Sequence, residues 1–239
     1  MALMEAHAGV VQEARRRIVT VHHLNNSRSQ RILWLLEELG LEYEVKRYQR
    51  DAKTMLAPPE LRAVHPLGKS PVITDGELTL AESGAIVEHL ADRYGAGRLA
   101  PAPGSPERVR YLYWLHFAEG TAQPPSLLKL LFDRIKSKSP LLVRPIARAI
   151  ADRALGSYVL PNIERNLDFM ESELGKNEWF AGAQFSAADI QMSFPVEAYR
   201  ARGGLDSKHP RLMHFLQTIH ARPAYRRAIE RGGEYALMK

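Results

Sequence analysis

Apolar positions recur along the chain with two different periods. Ile18 to Leu24 is a run rich in β-branched residues, broken by Asn25-Asn26-Ser27, and reads as a strand. Ile32, Leu35, Leu36 and Leu39 then follow helical spacing, with Glu37 and Glu38 facing away and Gly40 where a C′ glycine belongs. Tyr43 to Tyr48 alternates as a second strand, and a short helix is predicted near Pro59-Glu60-Leu61-Arg62. Val72-Ile73-Thr74 and Leu78-Thr79-Leu80 read as short strands joined at Asp75-Gly76, a two-residue hairpin signal. Ala85, Ile86, Val87 and Leu90 carry a helix from Ser83, expected as its N-cap, to about Tyr94.

Beyond this point the period is helical throughout. Gly95 to Gly104, with Pro101 and Pro103, has the composition of a linker, and Ser105-Pro106-Glu107 is a helix start with proline at N1. Tyr111, Trp114, Leu115 and Ala118 mark one amphipathic face, Pro124-Pro125 ends or kinks that helix, and Leu127-Leu128 with Leu130-Leu131 starts the next. Phe185-Ser186-Ala187-Ala188-Asp189-Ile190 has the form of a capping box with a flanking hydrophobic pair, a structural signal. The predicted fold is therefore α/β plus all-α. Residues 18–95 form a thioredoxin-like β-α-β-α-β-β-α domain, whose strand-helix-strand start is parallel; 96–104 are a linker and 105–239 an all-helical domain. Residues 1–17 read as a frayed or weakly helical extension, with apolar and basic parts in the wrong order for a secretory signal.

Composition narrows the chemistry. The 239 residues contain no cysteine, so any thiol chemistry uses a thiol brought by the substrate. The net charge of +6 is spread among interspersed acidic residues. Arg144, Arg148 and Arg153 lack an aromatic stacking platform, so they read as a solvated helix face and no nucleic-acid partner is expected. No apolar run approaches the roughly 20 residues of a membrane span, and a cytoplasmic protein is expected. His22 and His23 are adjacent on a strand and so point to opposite faces; without an Asp/Glu/His cluster they read as ordinary strand histidines, and no metal is expected.

Candidate binding chemistry gathers around the hairpin. The loop His65-Pro66-Leu67-Gly68-Lys69-Ser70-Pro71 enters it, and Glu82-Ser83 leaves it at a helix N-terminus whose free N–H groups suit an anion. A cis bond before Pro71 would expose the Ser70 backbone to an extended peptide. Ser70 pairing with a peptide backbone, Ser83 on a carboxylate, Glu82 on an ammonium and Lys69 on a second carboxylate together match γ-glutamyl-cysteinyl-glycine, that is, glutathione. Any one of these residues alone reads equally as a turn, a cap or a solvated charge.

From about Ile18 onward the chain resembles the cytosolic glutathione S-transferases, on three motifs in their order and spacing: the His65–Pro71 loop, Glu82-Ser83 and Phe185–Asp189. Asn26-Ser27-Arg28-Ser29-Gln30-Arg31 and Glu119-Gly120 with Gln123-Pro124-Pro125 resemble the bacterial and fungal branch typified by a yeast glutathione transferase. The resemblance implies that Lys69, Ser70, Glu82 and Ser83 contact glutathione, that Pro71 is a cis proline and that the protein is a homodimer. It implies detoxification-type chemistry: the glutathione thiolate, with glutathione as co-substrate and no separate cofactor, adds to a hydrophobic electrophile or reduces organic hydroperoxides. Counting back from Arg31 to the serine of theta-like members leads to Ser27 as the thiolate donor, with Ser29 and Asn26 as alternatives and a plain N-cap as the structural reading. Tyr43 and Tyr48 read as strand packing residues, and Tyr113, His116 and Phe117 as candidates for the electrophile site or, equally, for core packing. A non-catalytic binding or regulatory module on the same fold is the alternative.

Overall fold

The structure, a computed structural model, describes residues 18–238, so the extension expected over 1–17 lies outside the described residues. It divides into two compact units. The first holds a four-stranded sheet of order β2-β1-β3-β4, made of β1 (Val19–Leu24), β2 (Tyr43–Tyr48), β3 (Val72–Asp75) and β4 (Leu78–Ala81). β1 pairs parallel with β2 and antiparallel with β3, and β3 pairs antiparallel with β4. Helices α1 (Ser29–Leu39), α2 (Pro59–Val64) and α3 (Ser83–Tyr94) complete the predicted thioredoxin-like order. α1 ends as its sequence predicts, on Gly40 at φ 68°, and buries Ile32 through Leu36 without a break. Tyr43 and Tyr48 are buried in packing.

The hairpin turn differs from its prediction by one residue. Asp75 pairs with Leu78, so Gly76-Glu77 makes the turn, with Gly76 at φ 63°. Asp75 is drawn into the strand because its carboxylate is buried and bonded to His89 (2.9 Å) and the Tyr94 hydroxyl (2.8 Å), fastening the hairpin to α3. Burial pushes this carboxyl's pKa up, but those bonds and the Arg93 charge outweigh it and hold the group below its usual range.

The first unit does not end at the linker. It runs from the described N-terminus to Ala100 and takes in residues 221–236, whereas the sequence places everything after 105 in one helical domain. The returning helix, α10 (Pro223–Gly232), packs on α1, with Trp34 edge-on to Tyr225 at 5.1 Å. Glu37 and Glu38, expected to face away, are its anchors. Arg222 grips Glu38 with two bonds (2.6 and 2.8 Å), Arg227 bonds Glu37 (2.6 Å), and Arg231 lies 3.7 Å over the Tyr43 ring while donating to the Tyr43 carbonyl.

The second unit spans 101–220 and is helical. α4 (Pro106–Phe117) starts at Ser105, whose hydroxyl accepts from the Arg108 N–H, and passes through a π turn into α5 (Gln123–Lys138); Pro124 and Pro125 follow directly on the π turn, whose widened ladder accommodates the break in bonding that they impose. α6 (Arg144–Ala154) leads through a second π turn to α7 (Leu160–Leu174), followed by α8 (Ala187–Arg202) and α9 (Pro210–Ala221). α8 is buried from Ala187 through Tyr199 and begins in the predicted capping box. Asp189 accepts from the backbone of Ser186 and Phe180, both at 2.8 Å, while Ser186 accepts from Ala188.

Candidate active site

Sheet register gathers three chain segments at one end of the first unit. Val72 pairs with Ala81 and with His22, so the next positions in register are Pro71, Glu82 and His23. The Ser70–Pro71 bond is cis, and Ser70, beyond the last β3 pair, is tied to β1 by its side chain: the Leu24 N–H donates to its hydroxyl (3.3 Å), which donates to the His22 carbonyl (3.1 Å). Ser27 comes from the turn between β1 and α1. Its Oγ stands 3.3 Å from Ser70 Oγ and 2.7 Å from Ser29 Oγ, and it accepts the Ser29 N–H at 3.3 Å. Because the Ser70 proton is committed to His22, Ser27 is the donor between those two serines.

Glu82 and Ser83 differ from the expected cap. Helix α3 starts at Ser83 itself, and Glu82 occupies the capping position at φ 70°, ψ 121° without a side-chain cap bond. A non-glycine residue in that region stores backbone strain of about 1–3 kcal/mol, the kind of strain that concentrates at ligand sites. Ser83 is 2% exposed, and the protein supplies no hydrogen-bond partner to its hydroxyl. A buried hydroxyl without a protein partner, at the head of a twelve-residue helix, is a ready donor to an anion. Lys69 and Glu82 are exposed on either side of buried Ser70, Pro71 and Ser83.

The two strand histidines part company. His22 is structural, its ring bonded to the Tyr48 hydroxyl (2.9 Å) and Thr74 Oγ1 (3.0 Å). His23 instead places Nδ1 2.8 Å from Ser29 Oγ. Burial, helped by the Arg47 charge and opposed by a bond to the Gly232 backbone, lowers its pKa to about 4, so it is neutral at physiological pH. Asn26, at φ 50°, accepts the Ala236 N–H at 2.7 Å. His23 and the returning segment were not among the predicted site residues; the neighbouring Ser-x-Ser spacing was the one local signal.

In the second unit, Tyr113 is 48% exposed and His116 is exposed, whereas Phe117 is 7% exposed and packs between Trp114 (5.0 Å) and Phe169 (5.6 Å). Phe117 thus packs among the aromatic rings of this unit, while Tyr113 and His116 present their side chains at its surface. Among the described residues no group of three or more His, Asp or Glu side chains is placed to hold a metal ion, and no helix is long and apolar enough to cross a membrane.

Residues 18–92 match the glutathione S-transferase N-terminal domain and residues 135–223 its C-terminal domain. Glutathione S-transferase 3 of Schizosaccharomyces pombe is 36% identical over 215 residues, covering 90% of this chain and 88% of that protein. The chain belongs to the glutathione S-transferase family. Glutathione S-transferase 1 of Saccharomyces cerevisiae is 34% identical, with 87% of this chain and 92% of that protein covered. Among solved structures, a glutathione S-transferase from Actinobacillus pleuropneumoniae shares the fold with a TM-score of 0.70 at 33% identity, covering 93% and 96% of the two chains. A sphingomonad glutathione S-transferase solved with glutathione has a TM-score of 0.70 at 25% identity, covering 90% of this chain and 98% of that one. The family assignment and the fold agree with the sequence reading, and the yeast relatives agree with the branch it named.

Proposed function

We propose that this glutathione S-transferase binds glutathione at the sheet end formed by Ser70, Pro71, Glu82 and Ser83, and activates its sulfur with Ser27. The Ser70 backbone pairs with the cysteinyl residue, Ser83 and the α3 N-terminus take the γ-glutamyl carboxylate, Glu82 takes the ammonium, and Lys69 takes the glycyl carboxylate. The single observation that carries this reading is Ser83: a buried hydroxyl that the protein leaves without a partner, beside the strained Glu82. Conjugation needs the thiolate, since the thiol is a poor nucleophile and titrates at about 8.5 or above. Lowering that pKa by about two units takes roughly 2.7 kcal/mol. A hydroxyl donating to a charged acceptor supplies about 1.5–3 kcal/mol, and the α1 N-terminus about 0.3–1 more.

The thiolate then attacks a hydrophobic electrophile, for which Tyr113, His116 and Phe117 are the candidate contacts, and the enzyme works as a homodimer in the cytoplasm. The experiment is the ultraviolet thiolate absorbance of bound glutathione against pH, in the parent and in Ser27→Ala. The expected result is a parent pKa well below that of free glutathione, rising by one to two units in the variant, about the worth of the lost bond. Binding with no pKa depression would favour a non-catalytic module, and failure of the parent to stay on immobilised glutathione would overturn the site.

A further inference from the structure

The turn between α5 and α6 is made of residues that surface turns seldom carry. The Pro140 carbonyl accepts the Val143 N–H at 3.1 Å, so Leu141 and Leu142 are the central residues, 77% and 96% exposed. Such positions ordinarily hold glycine, asparagine, aspartate or serine. Bonds on both sides fix the turn: Arg144 Nε donates to the Ser139 carbonyl at 3.0 Å, Arg148 Nε to the Lys136 carbonyl at 3.4 Å, and Lys136 pairs with Asp152 at 2.5 Å. The two leucines therefore stand in water on a built loop.

Helix α6 extends the same surface. Of its eleven residues only Ala151 is buried. Val143, Ile146 and Ile150 are all exposed and follow i, i+3, i+7, one face of the helix, into which Leu141 and Leu142 lead. The sequence reads the arginines of this stretch as a solvated face, whereas the structure sets exposed isoleucines between them. Charge is concentrated here as well. Residues 127–153 carry seven lysines and arginines against two aspartates, a net +5 in a chain whose total is +6. Asp133 pairs with Lys129 and Asp152 with Lys136, which occupies both acids. Arg134, Lys138, Arg144, Arg148 and Arg153 have no carboxylate partner among the described residues.

We propose that the 139–143 turn and α6 dock on an anionic lipid bilayer, lying in its headgroup layer. The mixture of side chains selects this partner. Exposed aliphatic groups gain by leaving water, and the cations beside them gain at a surface of lipid phosphates and carboxylates. Long arginine and lysine arms reach from the apolar level back to the headgroups, so both kinds of residue are served at once. An eleven-residue helix is about 16 Å long, enough to lie in the interface and too short to span roughly 30 Å of hydrocarbon. A nucleic acid would neutralise the cations and leave the leucines in water. A second copy laid on the same surface would bring basic residues against basic residues. The inference does not depend on the glutathione site, but it would hold the enzyme where hydrophobic electrophiles accumulate.

The test is co-sedimentation of the full-length protein with vesicles of phosphatidylcholine alone and with vesicles containing about one third phosphatidylserine. Binding is expected on the anionic vesicles, about 10-fold or more weaker on phosphatidylcholine alone, and weakened by salt at about 0.5 M. Ile146→Ser/Ile150→Ser and, separately, Lys138→Gln/Arg153→Gln change only exposed side chains, so circular dichroism should match the parent while anionic-vesicle binding falls about 10-fold or more in each. Equal binding to the two vesicles would overturn the proposal, as would binding that either pair leaves unchanged. Binding to neither vesicle would overturn it too, and a lower sedimentation mass in Ile146→Ser/Ile150→Ser would then assign the face to a contact between copies. A single label needs neither pair: the chain has no cysteine, so Leu142→Cys takes one environment-sensitive dye. Its emission should shift to the blue on anionic vesicles, and an unchanged spectrum would overturn the proposal.

Discussion

Removing the carboxylate of Asp189 should cost the helical unit far more than removing its partner hydroxyl, although the two share one capping box. Burial pushes the Asp189 pKa up to about 6, against four donors that pull it down, so at pH 7.5 the group is ionised and only accepts. It is fully buried and accepts the Phe180 and Ser186 N–H groups at 2.8 Å and the Ser186 hydroxyl at 3.0 Å. Asp189→Ala strands two backbone donors in the interior at about 1–3 kcal/mol each, a total of about 2–6 kcal/mol. Ser186→Ala strands only the Ala188 N–H, at the rim of the helix, and costs about 1–2 kcal/mol. At about 2–4 °C per kcal/mol for a chain of this size, the melting temperature should fall by about 2–8 °C in Ser186→Ala and by clearly more in Asp189→Ala. The double variant should melt below Asp189→Ala, because the Ala188 N–H bond to Ser186 does not involve Asp189, but by less than the sum of the two single losses, because the shared Ser186–Asp189 bond is lost once. Thermal unfolding followed by circular dichroism at pH 7.5 decides it. Equal losses in the two single variants, or a change under one degree in Asp189→Ala, would refute the reasoning that unserved buried donors dominate the box.

Three further outcomes are expected. Ser83→Ala removes a hydroxyl that serves no protein partner, so its melting temperature should hold while glutathione affinity falls about 10-fold or more by calorimetry, the worth of a bond to a charged acceptor. Gly232→Ala makes the buried Gln30 amide give way and presses on Leu33, and should destabilise the first unit by about 1 kcal/mol in urea unfolding. His23 has a folded pKa near 4 against 6.5, so the unfolded chain binds more protons between those values and stability is lost as pH falls through that window. The stability difference between parent and His23→Phe should therefore shrink by up to about 3 kcal/mol from pH 6.5 to pH 4, measured by urea unfolding across that range.

The elements that were legible in the sequence are those specified by neighbours: Gly40 closing α1, the hairpin, Ser105 and the Ser186–Asp189 box each act within a few residues. What was not legible is specified from a distance. Glu37 and Glu38 read as solvent-facing because periodicity cannot see Arg222 and Arg227, which stand 184 and 190 residues away along the chain. His23 read as an ordinary strand histidine because strand alternation assigns one of two neighbours to each face; β1 is a central strand buried on both, so each histidine had to find its own partners. The cap at Ser83 shifted by one because Glu82 adopts a positive φ, for which a glutamate gives no sequence signal. Ser27, Ser70, Glu82 and Ser83 were named from motif and resemblance, and their meeting at one sheet end follows from a register that only the three-dimensional pairing supplies.

The return of residues 221–236 to the first unit has a consequence for how the protein is made. A growing chain that has just exposed β1 through α3 carries Glu37, Glu38, Tyr43 and Asn26 without the arginines and the Ala236 N–H that will bond them. The helical unit, 101–220, must emerge before those partners exist, so the binding unit is begun first and finished last. Closing so long a loop adds little entropy beyond that of a shorter one, but it places the completion of the turn between β1 and α1 after the synthesis of everything between.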